Sequence, residues 1–236
     1  MKINILTLFP EMFSSFKNHS IEKRALEAKL IEMDAYNIRD YTQSKHGKVD
    51  DSPFGGGAGM VMTPQPIFDC FDHIIENSRS KKRINVFMSP KGKTISESIL
   101  KSFLDFDEIN ILCGHYEGVD QRCIDTYIDE EISIGDYVLT GGELAAMVFI
   151  DAMIRFIPGV LGNQDSTMEE SFSNGLLEHA HFTRPYEYKG KKVPDVLLSG
   201  NHKVIQQYRK EQSIAITKER RPDLLKKLDS KKTSNL

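Results

Sequence analysis

Short apolar segments alternate with helix-length amphipathic stretches through the middle of this 236-residue chain, and that alternation narrows the fold more than any other feature. Residues 84–88, 108–113 and 131–134 read as buried strands, and 96–103, 120–128 and 142–156 as the helices between and after them. Such β-α-β succession argues for an α/β fold with a parallel sheet covered by helices on both faces. Upstream, 2–8 reads as a strand, 20–28 as a helix with Ser20 as its N-cap, and 31–35 as a second strand. Pro64 opens another helix, 64–76, striped by Ile67, Phe68, Phe71, Ile74 and Ile75. Between 39 and 62 the periodicity lapses into a long loop, Asp51-Ser52-Pro53-Phe54-Gly55-Gly56-Gly57-Ala58-Gly59, of the kind that compact domains keep for function. A polar stretch at 163–175 reads as a linker between a first domain, 1–162, and a smaller, mainly helical and basic one, 176–236. The best helices of the second domain are 203–209, or a little beyond, and 222–228.

The charge is uneven. The chain carries 31 Lys and Arg against 34 Asp and Glu, a net −3, yet from Arg184 onward there are 14 cations and 6 anions. That asymmetry points to a polyanion-binding arm on an acidic body. With 39% apolar and 28% charged residues the chain is neither disordered nor collagenous. Cys70, Cys113 and Cys123 are an odd number without C-x-x-C spacing, which suggests a reducing compartment. The longest apolar run, 145–150, is far below the ~20 residues that span a bilayer, so a cytoplasmic location without membrane contact is expected.

Three glycine-bearing loops follow three successive strands: Ser89-Pro90-Lys91-Gly92, Cys113-Gly114-His115-Tyr116-Glu117-Gly118, and Ile134-Gly135-Asp136-Tyr137-Val138-Leu139-Thr140-Gly141-Gly142-Glu143. In open parallel sheets ligands bind at the carboxyl ends of strands, so these loops should share one pocket. Glycine lets bare backbone approach a flat ligand. Neither G-x-G-x-x-G nor G-x-x-x-x-G-K-[ST] is present, which argues against a dinucleotide or a nucleoside triphosphate. Several polar residues also have plain structural readings. Glu117 and Asp136 can brace turns, Arg155 can be a helix-end cation, and Glu169-Glu170 can be solvated charge. His179-x-His181 lacks evident partners for a metal.

The motifs just quoted, together with Leu8-Phe9-Pro10-Glu11-Met12-Phe13, Val49-Asp50 leading into the Gly55–Gly59 loop, Arg155-Phe156-Ile157-Pro158-Gly159-Val160-Leu161-Gly162 and Leu197-Leu198-Ser199-Gly200-Asn201-His202, resemble the bacterial tRNA (guanine-37-N1)-methyltransferases of the TrmD family. The resemblance runs from Met1 to about Leu228. It implies a SPOUT-type sheet with a trefoil knot in the C-terminal part of the first domain, S-adenosylmethionine as methyl donor, and tRNA as substrate. It also implies an obligate homodimer whose active sites lie between the subunits. The methylated atom would be N1 of guanine 37, in tRNAs with guanine at 36. Donor-binding positions carry over to Phe87, Met88, Ser89, Pro90, Gly114, Tyr116, Gly118, Ile134, Gly135, Tyr137, Leu139, Gly141 and Gly142. Substrate-positioning residues would be Asp50, Gly55, Gly59, Glu117 and Ser199, with Arg155 at the reaction centre and Glu170 as general base.

The chemistry calls for these types. Guanine N1 is protonated at neutral pH, so a carboxylate must take that proton, and an arginine suits the charge that grows on O6. No bound metal is required by this scheme, and the residues leave a magnesium requirement open. The chain departs from the resembled pattern in carrying Glu170 where aspartate is usual, His115 where some members have arginine, and Ala145 where proline is common. A ribose methyltransferase of the same fold and a non-catalytic RNA-binding protein are the competing readings.

Overall fold

The computed structural model describes residues 1–162 and 170–233, and the chain divides into two compact units, Met1–Gly162 and Asn163–Leu236. Of the expected linker, residues 163–169 lie outside the described residues.

Five strands form the sheet of the first unit: β1 (Lys2–Thr7), β2 (Glu32–Asn37), β5 (Arg83–Thr94), β6 (Glu108–Cys113) and β7 (Glu130–Ser133). They are all parallel, in the order β2-β1-β6-β5-β7. Two further short strands, β3 (Asp50–Asp51) and β4 (Val61–Met62), pair antiparallel as a separate ribbon at the base of the glycine-rich loop. Helices connect the strands: α1 (Met12–Lys17), α2 (Ser20–Glu27), α3 (Pro64–Asn77), α4 (Glu97–Ser102) and α5 (Gln121–Tyr127), with α6 (Glu143–Ile154) after β7.

Period-two alternation sorts the side chains of the central strands onto two faces. Ile3 and Ile5, Ile84 and Val86, and Ile109 and Ile111 pack with Leu100 of α4 and with Phe149, Ile150 and Met153 of α6. Leu6 and Leu112 point the other way, against Ile67, Cys70, Phe71 and Ile74 of α3 and Cys123 of α5. Both faces are therefore covered by helices. The helix expected at 20–28 forms, but its N-cap is His19, with no side-chain cap bond, and Ser20 is already the first helical residue. All three cysteines are free and buried. Burial pushes the thiols of Cys70 and Cys113 well up and that of Cys123 to about 12, which keeps them protonated.

A row of amides crosses the middle of the sheet. Asn4, Asn110 and Asn85 stand abreast on β1, β6 and β5. Asn4 Nδ2 donates to Asn110 Oδ1 (2.7 Å), Asn110 Nδ2 to Asn85 Oδ1 (2.8 Å), and Asn85 Nδ2 to the Tyr127 carbonyl (2.7 Å). Each bond satisfies a group that burial would otherwise penalise.

β5 is longer than its apolar core. Met88 and Lys93 both lie opposite Ile132 of β7, so Ser89 to Gly92 bulge out of the ladder before pairing resumes at Lys93 and Thr94. Gly92 passes directly over β7. A Cβ there would lie 2.3–2.4 Å from backbone atoms of Glu131 and Ile132, which cannot yield.

In the second unit β8 (Glu187–Tyr188) and β9 (Lys191–Lys192) make a hairpin through Lys189 and Gly190, both at positive φ (49° and 76°), as a two-residue turn of type I′ requires. Two helices follow, α7 (His202–Arg220) and α8 (Pro222–Thr233). α7 buries Ser213 and Thr217. The Ser213 hydroxyl donates to the Leu177 carbonyl, and Leu177 N donates to Thr217 Oγ1 (2.8 Å). Residues 170–175 bond within this unit: Phe172 N donates to Leu176 O (2.8 Å), and Glu178 N to Ser171 Oγ (3.0 Å).

The amide row makes a stability prediction. Asn110→Ala strands the Asn4 amide and the Asn85 carbonyl oxygen in the core, and urea unfolding should show a loss of about 2–4 kcal/mol. A loss below about 1 kcal/mol would mean that the row is not holding the sheet.

Candidate active site

The three glycine-bearing loops converge at the carboxyl ends of β5, β6 and β7, where they line one cleft of about 160 Å³. Phe87 and Met88 reach it from β5, and Ser89 and Pro90 from the bulge that follows. Gly114, Tyr116 and Gly118 come from the loop after β6. Ile134, Gly135, Tyr137, Leu139, Gly141 and Gly142 come from the loop between β7 and α6. All thirteen residues expected to hold the donor thus line the same cleft, and Glu117 joins them. Among the described residues no lysine or arginine lines it. Its wall is largely apolar side chain and glycine backbone, with polar groups from Ser89, His115, Glu117 and Thr140.

The loop after β6 turns at His115–Gly118, with Gly118 N donating to His115 O (3.2 Å) and Tyr116 at φ 61°. It is tied to the β3–β4 ribbon on its other side. Glu117 N donates to Met60 O (3.0 Å), Met62 N to Gly118 O (2.9 Å), and Asp120 N to Met62 O (3.0 Å). Asp50, opposite Met62 in the ribbon, is therefore one strand away from this loop. Gly59, at φ 82°, lies so close to Glu117 that a Cβ would sit 2.4 Å from its Cγ and Oε1. Gly55, at φ 87°, is at the exposed tip of the same loop.

Behind the cleft lies a group that sequence reading did not assign. Glu143, in the first turn of α6, is 2% exposed. Its Oε1 accepts from Thr7 Oγ1 at the end of β1 (2.6 Å), and its Oε2 pairs with His115 Nε2 (2.7 Å). The His115 ring is also met edge-on by Phe9, at 5.0 Å between centroids. Gly141 sits against this pair, and Gly142 against Cys113. Glu143 was legible as an acidic residue opening a helix, whereas its partners lie 136 and 28 positions away in the chain.

A sequence-family model described as tRNA (Guanine-1)-methyltransferase TrmD matches residues 1–227. The chain belongs to this family. Among TrmD-family relatives, a tRNA (guanine-N(1)-)-methyltransferase of Clostridioides difficile (strain 630) is 55% identical over 231 residues, which is 98% of this chain and 100% of the relative. That of Alkaliphilus metalliredigens (strain QYMF) is 55% identical over 233 residues, 98% of this chain and 94% of its own length. That of Bacillus cereus (strain AH820) is 51% identical over 232 residues, covering 98% and 95%.

Not every expected TrmD-family site residue lines the cleft. Arg155 is the half-buried C-cap of α6. Glu170 and Ser199 belong to the second unit. Glu170 is half-buried, and its carbonyl accepts from Ser173 Oγ (2.8 Å). Ser199 caps the 3₁₀ turn Asp195–Leu198, its hydroxyl donating to Val196 O (2.8 Å) and accepting from Asn201 N (3.2 Å). Asp136 is exposed. Among the described residues no group of three or more His, Cys, Asp or Glu is placed to hold a metal ion, and no helix is long and apolar enough to cross a membrane.

The pairing of His115 with Glu143 explains why Gly141 is glycine. A Cβ there would lie 2.3 Å from His115 Cε1 and 2.7 Å from Glu143 Oε2. Gly141→Ala should lower stability by about 1–3 kcal/mol and shift the His115 imidazole resonances in NMR spectra. Gly162→Ala, where no described atom beyond its chain neighbours lies within 4 Å of the added Cβ, is the matched control and should stay within about 0.5 kcal/mol. Unmoved His115 resonances in Gly141→Ala would contradict the packing described.

Proposed function

We propose that this chain transfers a methyl group from S-adenosylmethionine to N1 of guanine 37 in tRNAs that carry guanine at 36. The observation that carries this reading is the convergence of all thirteen expected donor residues on one cleft in a chain of the TrmD family. The cleft suits that donor. The bare glycine backbone at Gly141 and Gly142 leaves no space for side chains on that wall, and the absence of lysine and arginine fits a ligand that bears a sulfonium and no phosphate.

The bound donor supplies an electrophilic methyl group. The remaining work falls to the chain. As guanine N1 bonds to the methyl carbon, the methyl–sulfur bond breaks with its electron pair left on the thioether product, the N1 proton passes to the Glu170 carboxylate, and the guanidinium of Arg155 stabilises the negative charge growing on O6. Asp50, Glu117, the Gly55 to Gly59 loop and Ser199 hold the guanosine and its neighbour, which restricts the base to productive orientations. Residues 1–162 act as the catalytic domain, 163–175 as the linker, and 176–236 as the basic arm that meets the phosphates.

In this reading the first unit carries the trefoil knot, whose tight backbone passages need residues such as Gly92, and the protein works in the cytoplasm as a homodimer. Support for a partner comes from the outer face of α6. Leu144 and Val148, one turn apart, are 53% and 46% exposed, and nearby in sequence Val138 is 82% exposed. A chain with this much apolar surface in one region gains by covering it.

With labelled S-adenosylmethionine, purified protein should methylate a tRNA bearing guanines at 36 and 37 and fail when 37 is adenine. Product mapping that places the label on ribose, or transfer to the adenine variant, would overturn the reading. Glu170→Gln should slow the single-turnover chemical step by about 10²-fold or more while leaving donor affinity by calorimetry unchanged. If Glu169→Gln slows it instead, the base is the neighbouring carboxylate.

A further inference from the structure

One large apolar side chain in the first unit is left uncovered by the described residues. Phe54 is 101% exposed, a complete apolar side chain in water whose covering is favourable. It stands at the corner of a turn closed by Gly56 N donating to Pro53 O (3.2 Å), followed by Gly55 and Gly56 at φ 87° and 80°. The turn is the tip of the loop between β3 and β4. Its base is fixed, since the strands pair at Asp51 and Val61, and Met60 and Met62 bond to Glu117 and Gly118 in the wall of the cleft. The fold therefore carries an aromatic ring outward on a short arm whose root is the candidate guanine site.

The proposal rests on the tRNA reading given above. A guanine in a stacked anticodon loop cannot present N1 to a cleft unless it leaves its neighbours, and extruding a base costs unstacking energy. Proteins that read single-stranded RNA offset that cost by stacking bases on aromatic side chains, and an aromatic face accepts any base. Gly55 and Gly56 take φ values that other residues rarely adopt and add no side chain between the ring and an approaching base. We propose that Phe54 stacks on a nucleobase of the anticodon loop next to the guanine drawn into the cleft, and so holds the RNA open during transfer. Phe54 is a positioning residue in this scheme and touches no reacting atom.

The chain contains no tryptophan, so Phe54→Trp places a single indole at the loop tip of the full-length protein. Binding of dye-labelled tRNA with guanines at 36 and 37 is measured first, by anisotropy. Without RNA the indole should emit as a water-exposed group, and its emission should be quenched as tRNA saturates the protein. Phe54→Ala should lower kcat/KM for tRNA by about 5- to 150-fold, the range for loss of one base–aromatic stack, with S-adenosylmethionine affinity unchanged, and Phe54→Tyr should restore it. Emission that stays constant at saturation overturns the proposal, as does emission already blue-shifted without RNA, which would mean that another protein chain covers the ring. Failure of the unsubstituted chain to bind tRNA at all overturns the tRNA reading and this inference with it.

Discussion

A single buried carboxylate joins the parts from which the site is made. Glu143 brings together the end of β1 through Thr7, the loop after β6 through His115, and the start of α6 on which it stands. Burying a carboxylate to 2% exposure is costly, and here a bond to each oxygen offsets that cost. The bonding requirement therefore fixes three segments at once. Gly141 and Gly142 follow from it, because the loop that delivers Glu143 must pass within contact distance of His115 and Cys113. The cleft is shaped by what lies behind it before any ligand arrives.

The same economy of polar groups appears deeper in the sheet. The amides of Asn4, Asn110 and Asn85 lock three strands into one register, because a slip by one residue would leave each without its partner. At the amino-terminal end Glu108, 1% exposed, accepts from Ser78 Oγ (2.6 Å) and Ser80 Oγ (2.9 Å). Apolar packing makes the sheet stable, and these bonds make its register unique. The loops at the opposite edge inherit their positions from that register.

Much of this was legible in the sequence. The strand at 108–113 and the helix at 64–76 are apolar at the spacing their geometry demands, and both form within a residue of the expected bounds. The three glycine loops were readable because parallel topology places every strand's carboxyl end on one side. Four features were not. The continuation of β5 to Thr94 hides behind Ser-Pro-Lys-Gly, which reads as a turn because a bulge and a turn use the same residues. α7 runs to Arg220, although its charged second half shows no apolar stripe. The cap at His19 leaves no signature, since no side chain makes it. The Thr7–Glu143–His115 link depends on tertiary closure, and no local pattern encodes a contact across 136 residues.

The wall at Gly141 and Gly142 has a consequence for how this site could change. A surface made of main chain offers few atoms that a codon substitution can alter, and at these two positions any added carbon collides with His115, Glu143 or the backbone of Cys113. A small molecule that binds by reading amides and carbonyls there would meet a target with little room to escape by point mutation. A variant at Gly141 would first have to disturb the buried carboxylate that holds the site together.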